Sequence, residues 1–159
     1  MEHFTLDALS IFAWPAALSP TACQAIASTL PWPEQQRSSQ SIVEDQGRVN
    51  VLVDGLLVHV MEGAPRLRWL PSITLTKAYK VPWHVDQRRG ADWKLCLYLD
   101  GVVDGGTVFR SRDGRAQIRP PFEQGTIVLF DIRLEHRTDD YDDAAMRRVL
   151  GLRAASVAS

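Results

Sequence analysis

Between Tyr79 and Asp100 the chain reads YKVPWHVDQRRGADWKLCLYLD, and this stretch decides the fold. Its second half, Lys94 to Leu99, has the length and apolar content of a buried strand. Alternate residues of a strand face opposite sides, so Lys94, Cys96 and Tyr98 share one face and Leu95, Leu97 and Leu99 the other. Its first half follows another strand pattern, Ile73 to Tyr79, and carries His84 and Asp86. Residues two apart in an extended segment project to the same side. An imidazole and a carboxylate therefore stand together just ahead of a buried strand.

Outward from this stretch, short strand patterns recur at Thr107 to Arg110, Gln117 to Arg119, Thr126 to Asp131 and Arg148 to Ala154, separated by Gly, Pro and Asp clusters. Upstream, Val49, Val51 and Val53 alternate with polar or small neighbours. Leu56 to Met61 continues after the turn signal Asp54-Gly55. Nearer the N-terminus the period is helical. Ser19-Pro20 reads as a helix start, and Cys23, Ile26, Ala27 and Leu30 follow at helical spacing until Pro31-Trp32-Pro33. Glu34 to Ser41 reads as a polar loop. The expectation is a mainly β domain with an N-terminal helical segment: a jelly roll or related β-sandwich with helices packed on one sheet. A single domain spans 1–159, with 1–47 as helical and loop support and 48–155 as the β core.

Composition agrees with one globular unit. The chain has 159 residues, 45% hydrophobic and 23% charged, which excludes a wholly disordered or collagen-like polypeptide. No apolar run is long enough to span a bilayer, so no membrane partner is expected. With 18 Lys+Arg against 19 Asp+Glu the formal charge is −1, which gives no global drive toward nucleic acid. Ala8 to Leu18 is apolar, but Glu2 and Asp7 stand where a secretory signal needs positive charge, and Pro15 interrupts the run. Cys23 and Cys96 are too few for a disulfide framework and lack metal-ligand spacing. Buried free thiols and a cytoplasmic location are the expectation. Asp139, Asp140, Asp142 and Asp143 read as a solvated loop, their spacing being wrong for calcium.

His84 and Asp86 gain meaning from His136, which lies just beyond the strand Thr126 to Asp131 and can add a third ligand from across the sheet. Two imidazoles and one carboxylate on one side of an ion leave three octahedral positions open, the arrangement suited to non-haem Fe(II) oxygenases.

The order of the surrounding motifs strengthens that reading. Trp83-His84-Val85-Asp86 is followed by Lys94-Leu95-Cys96-Leu97-Tyr98-Leu99-Asp100 and by Gly105-Gly106-Thr107-Val108-Phe109. Then come Pro120-Pro121, Gly125-Thr126-Ile127-Val128-Leu129-Phe130, His136, and Arg147-Arg148-Val149-Leu150-Gly151-Leu152-Arg153. Between Tyr79 and Arg153 the chain resembles the 2-oxoglutarate/Fe(II)-dependent dioxygenases, most closely their prolyl-4-hydroxylase-like branch. The resemblance implies a double-stranded β-helix in which His84, Asp86 and His136 hold Fe(II). It also implies that 2-oxoglutarate and O2 are co-substrates and that a C–H bond is hydroxylated with release of succinate and CO2. The substrate classes it leaves open are an amino acid, a prolyl or peptidyl residue, and a natural-product intermediate. Retention of Asp86 favours hydroxylation, because halogenating relatives replace that carboxylate by a small residue.

In this family a basic residue opening the last strand clamps the distal carboxylate of 2-oxoglutarate, since a guanidinium fork fits a carboxylate. Arg147 and Arg148 both stand there. Alternation groups Arg148 with Leu150 and Leu152, and Arg147 with Val149, Gly151 and Arg153. If the leucines pack on helices, Arg147 points into the barrel. Tyr98 and Lys94, sharing the inner face of their strand, are further candidates to bind the co-substrate. Tyr79, Trp83, Arg153 and Thr107 are candidates to contact the substrate, and Arg88 to Asp92 with Glu34 to Ser41 could supply a small lid. Two alternatives stand beside this reading. Arg147 with Arg153 matches the R-x5-R ending of AlkB-like nucleic-acid demethylases, and Arg110, Arg112, Arg115 and Arg119 form a local basic run. A non-catalytic β-sandwich binding module is the other.

Overall fold

The computed structural model describes residues 1–34, 40–142 and 144–158. Among the described residues ten strands form two antiparallel sheets. The larger contains β1 (Glu2–Leu6), β2 (Leu9–Trp14), β3 (Gln40–Glu44), β4 (Leu67–Lys77), β5 (Trp93–Tyr98), β8 (Ile127–Asp131) and β10 (Arg148–Ser156), in the order β1-β2-β8-β5-β10-β4-β3. The smaller contains β6 (Thr107–Arg110), β7 (Gln117–Ile118) and β9 (Glu135–Thr138), in the order β7-β6-β9. Helices α1 (Pro20–Ser28) and α2 (Gln46–Leu52) belong to the other layer. The latter runs through a π-helical stretch (Val53–Leu57) into a last turn, α3 (Val58–Val60).

Strand alternation sorts the apolar residues into two cores. Leu95, Leu97 and Leu99 of β5 and its end, Ile127 and Leu129 of β8, and Leu150 and Leu152 of β10 pack with Cys23, Ala27, Val49, Val53 and Leu57 from the helical layer. The intervening residues Cys96, Tyr98, Val128, Phe130 and Val149 face the smaller sheet and pack with Phe109 and Leu134. The expected sheet pair with helices on one face is therefore the fold. Cys23 and Cys96 are free and buried.

Ser19 caps α1 as its sequence predicts, its Oγ accepting from the Ala22 amide at 3.1 Å. The strand expected at Val49 to Met61 is instead helical. Asp45 Oδ1 accepts from the Arg48 amide at 2.9 Å and starts α2. Val49, Val53 and Leu57, spaced by four, form one buried stripe, whereas Val51 is 73% exposed. The valines satisfy both periods, and burial selects the helical one. Asp54-Gly55 lies inside the π-helical stretch rather than at a turn.

The N-terminal residues, expected as helical or loop support, include a hairpin that extends the larger sheet, β2 pairing with β8. Its two-residue turn, Asp7-Ala8, has φ of 51° and 62°, the positive values of a type I′ turn. Gly125, at the entry to β8, has φ +81°, and a Cβ there would lie 2.0 Å from the Leu18 carbonyl oxygen. Only glycine permits both the conformation and the approach. Of the expected lid, residues 35–39 lie outside the described residues, as does Asp143 of the acidic loop; Gln40 and Ser41 belong to β3.

Candidate metal centre

His84 lies on the segment between β4 and β5 and is brought to β9 by backbone pairing. Its amide donates to the His136 carbonyl at 3.0 Å, and the His136 amide donates to the His84 carbonyl at 2.9 Å. The two rings then sit 4.2 Å apart between centroids. Each imidazole donates its Nδ1–H to the carbonyl two residues earlier, His84 to Pro82 at 2.8 Å and His136 to Leu134 at 2.9 Å. In the neutral ring this selects the tautomer in which Nε2 is the ligand atom. Both Nε2 atoms converge on Asp86: His84 Nε2 lies 3.6 Å from Oδ1 and His136 Nε2 lies 3.4 Å from Oδ2.

The three potential ligand atoms lie within 4.8 Å of one another. Metal–ligand bonds of about 2.1 Å place neighbouring octahedral ligands about 3 Å apart, so the closer pairs need contract by only a few tenths of an ångström. Two neutral imidazoles and a carboxylate, with Nδ1 already engaged, fit Fe(II) by geometry and by donor type.

Electrostatics keeps Asp86 ionised and His136 neutral, the forms in which they bind a metal. Burial pushes the Asp86 carboxyl up, but hydrogen bonding to His84 and the charges of Lys94 and His136 outweigh it and hold the group well below the usual carboxylate range. Burial, reinforced by Lys94, lowers His136 to about 3, so it remains neutral. His84 is raised, chiefly by its interaction with Asp86.

A cavity of about 220 Å³ opens over this trio. Its lining includes Tyr79, Lys94, Thr107 and Arg147 among the residues singled out from sequence. Arg147 is 4% exposed. Its Nε donates to the Gly105 carbonyl at 2.5 Å and its Nη2 to that of Gly106 at 3.5 Å. The guanidinium lies over the rings of Tyr98 and Tyr141, and among the described residues no carboxylate pairs with it. Arg148 turns the other way: it makes a two-pronged bond to Asp100 at 2.8 and 3.0 Å and lies over Trp32 on the helical side.

Tyr98 is buried behind Arg147, its hydroxyl bonded to Thr107 Oγ1; burial raises its pKa strongly. Lys94 reaches the candidate ligands, donating to Asp86 Oδ2 at 2.8 Å. Arg153 reaches the same carboxylate from the other side, 3.9 Å from Oδ1. Trp83 stays outside the cavity, between the guanidinium groups of Arg110 and Arg137. Several lining residues were not singled out from sequence: Thr74 and Thr76 of β4, Cys96, Val149 and Gly151. Their signal was strand parity, since Thr74 and Thr76 alternate with the buried Ile73 and Leu75.

Solved structures share this fold over most of the chain. An oxidoreductase of the 2OG-Fe(II) oxygenase family from Burkholderia pseudomallei matches with TM-score 0.66 and 14% identity, covering 91% of this chain and 84% of that one. The fold is that of the 2-oxoglutarate/Fe(II) oxygenases. A prolyl-4-hydroxylase from Pseudomonas putida matches with TM-score 0.59 and 14% identity over 93% of each chain. A non-haem α-ketoglutarate-dependent carbocyclase from nogalamycin biosynthesis matches with TM-score 0.65 and 14% identity, covering 92% of this chain and 79% of that one. No family model and no curated protein sequence matches the chain. The double-stranded β-helix expected from the motif order is thus the architecture found, with prolyl hydroxylases among its structural neighbours.

Proposed function

We propose that the protein is an Fe(II)/2-oxoglutarate-dependent oxygenase that hydroxylates a C–H bond of a small molecule, an amino acid or a peptidyl residue. One observation carries the reading. The His84, Asp86 and His136 donors line the same cavity as a buried arginine that has no carboxylate partner among the described residues. A buried charge is costly unless paired, and the distal carboxylate of 2-oxoglutarate would supply the pair.

His84, Asp86 and His136 would hold the iron and leave the remaining positions for the keto acid and O2. Bound there, the metal supplies the redox chemistry by which O2 and 2-oxoglutarate yield CO2, succinate and one hydroxylated C–H bond. The chain's own part is positional. Pro82 and Leu134 carbonyls aim the two imidazoles through their Nδ1–H groups. Gly105 and Gly106 carbonyls hold the Arg147 guanidinium against Tyr98, so that it can clamp the distal carboxylate. Tyr98 and Thr107 support that end of the cavity, and Tyr79 borders it. Arg148, engaged by Asp100, takes no part.

A nucleic-acid substrate has little support here. Arg110, Arg115 and Arg119 of the basic run pair with Glu135, Asp113 and Asp139, which leaves little charge for a phosphate footprint. The buried free thiols suit a reducing, cytoplasmic setting. Anaerobic titration of Fe(II)-loaded protein with 2-oxoglutarate tests the reading. A visible charge-transfer band that disappears in His84→Ala supports it. Absence of the band, with metal binding verified separately, moves the protein to a non-catalytic module.

A further inference from the structure

Lys94 and Arg153 are directly opposite one another on β5 and β10. They share strand parity with Cys96 and Gly151, which line the metal cavity. Like charges opposite each other on neighbouring strands repel, so this pairing needs an anion between them. That anion is Asp86, reached by Lys94 at 2.8 Å and by Arg153 at 3.9 Å. Asp86 is also the carboxylate assigned to the metal. Once its charge is shared with a divalent cation, two basic side chains at the mouth of the site lose most of their compensation. The doubly charged co-substrate does not restore it, because its two carboxylates are directed to the metal and to Arg147.

The surroundings supply space for a further anion. A second cavity of about 350 Å³ is lined by Arg153 and Arg89 together with Thr74, Ser72, Glu44 and Ile42. Thr74 also lines the metal cavity, so the two adjoin across one side chain. Arg153 is held in place by donating Nη1 to the Gln87 carbonyl at 2.7 Å. Glu44, which accepts from Ser72 Oγ at 2.5 Å, is the carboxylate of this lining and leaves the seat for an incoming anion at the arginine side.

We propose that the substrate oxidised at this centre carries a carboxylate seated by Arg153 and Lys94, with Arg89 beside it, an inference that rests on the oxygenase reading. The carboxylate anchors the molecule at the junction of the two cavities and presents a nearby C–H bond to the metal side. Free acids and acidic side chains within a peptide share this chemistry.

The test uses protein loaded with Zn(II), which supports binding without turnover, and saturated with 2-oxoglutarate. Saturation-transfer NMR is recorded against the free L-amino acids, their carboxamides, and N-acetylated, C-amidated aspartate and glutamate. Acids are expected to bind at least tenfold more tightly than their matched amides. In Arg153→Gln, and in Lys94→Gln as a second variant, that acid-to-amide ratio is expected to collapse toward unity. Binding of the free acids but not the capped acidic residues assigns a small-molecule substrate; the reverse assigns a peptide. Equal response to acid and amide, no bound acid, or a ratio unchanged in both variants overturns the carboxylate seat. Failure of Zn(II)-loaded wild-type protein to bind 2-oxoglutarate at all instead overturns the oxygenase reading beneath it.

Discussion

Arg147 and Arg148 are neighbours in sequence, yet their guanidinium groups lie on opposite sides of the larger sheet. One is buried against Tyr98 in the metal cavity, and the other is paired with Asp100 beneath the helices. Strand alternation produces the separation. Leu150 and Leu152 belong to the core that contains the helices and share parity with Arg148, while Val149 belongs to the core between the sheets and shares parity with Arg147. The consequences of removing each should therefore differ in kind. Arg147→Ala is expected to weaken 2-oxoglutarate binding at least tenfold, read by calorimetry on the Mn(II)-loaded protein. Arg148→Ala should leave that affinity within about twofold and instead cost about 1–3 kcal/mol of stability, from lost charge-assisted bonds and a stranded Asp100. The opposite ranking would show that the co-substrate enters from the helical side.

Gly125 ties the chain before α1 to the start of β8. The Leu18 amide donates to the Gly125 carbonyl at 3.2 Å, and the Leu18 carbonyl occupies the space where a side chain would begin. Gly125→Ala combines a left-handed conformation with a backbone clash. A loss of about 2 kcal/mol or more is expected by denaturant unfolding. A change below about 0.5 kcal/mol would mean that the Leu18 segment moves aside freely.

The helix at Gln46–Leu52 gives a sharper contrast between neighbours. Val51→Lys should change stability by no more than about 0.5 kcal/mol, because Val51 is exposed. Val53→Lys puts an unpaired charge into the core around Leu57 and should cost about 3 kcal/mol or more. Equal effects at the two positions would favour an extended segment there.

That segment also shows where sequence reading stopped. The β5 and β10 faces were legible because leucines alternate with smaller residues, and the metal trio was legible because motif order placed His136 beside the His84–Asp86 pair. Val49, Val51 and Val53 fit two periods, and only contact with the helical layer decides between them. The β1–β2 hairpin was hidden because its turn is Asp7-Ala8, without the glycine that usually marks positive φ. The bonds of Asp100 to Arg148 and of Asp86 to Lys94 depend on register and on loop path, which no local pattern encodes. Lys94 in particular shares a strand face with Tyr98 but reaches the candidate ligand Asp86 instead of the Arg147 end.

Asp86 carries two roles at once, and a single substitution should separate them. It is a candidate ligand, and it also compensates Lys94, which is only 12% exposed at the side chain. Asp86→Ala therefore strands a part-buried ammonium, and the metal-free variant should unfold at lower temperature than the wild type. A ligand that binds only the folded state adds stability in proportion to the logarithm of its concentration over Kd. Wild-type protein should gain several degrees in Tm with saturating Mn(II), and Asp86→Ala should gain almost none. Lys94→Gln removes the compensation without removing the carboxylate, so it should retain the metal-dependent gain. If Asp86→Ala kept the full gain, the carboxylate would be only a partner of Lys94, and the metal would have to sit elsewhere.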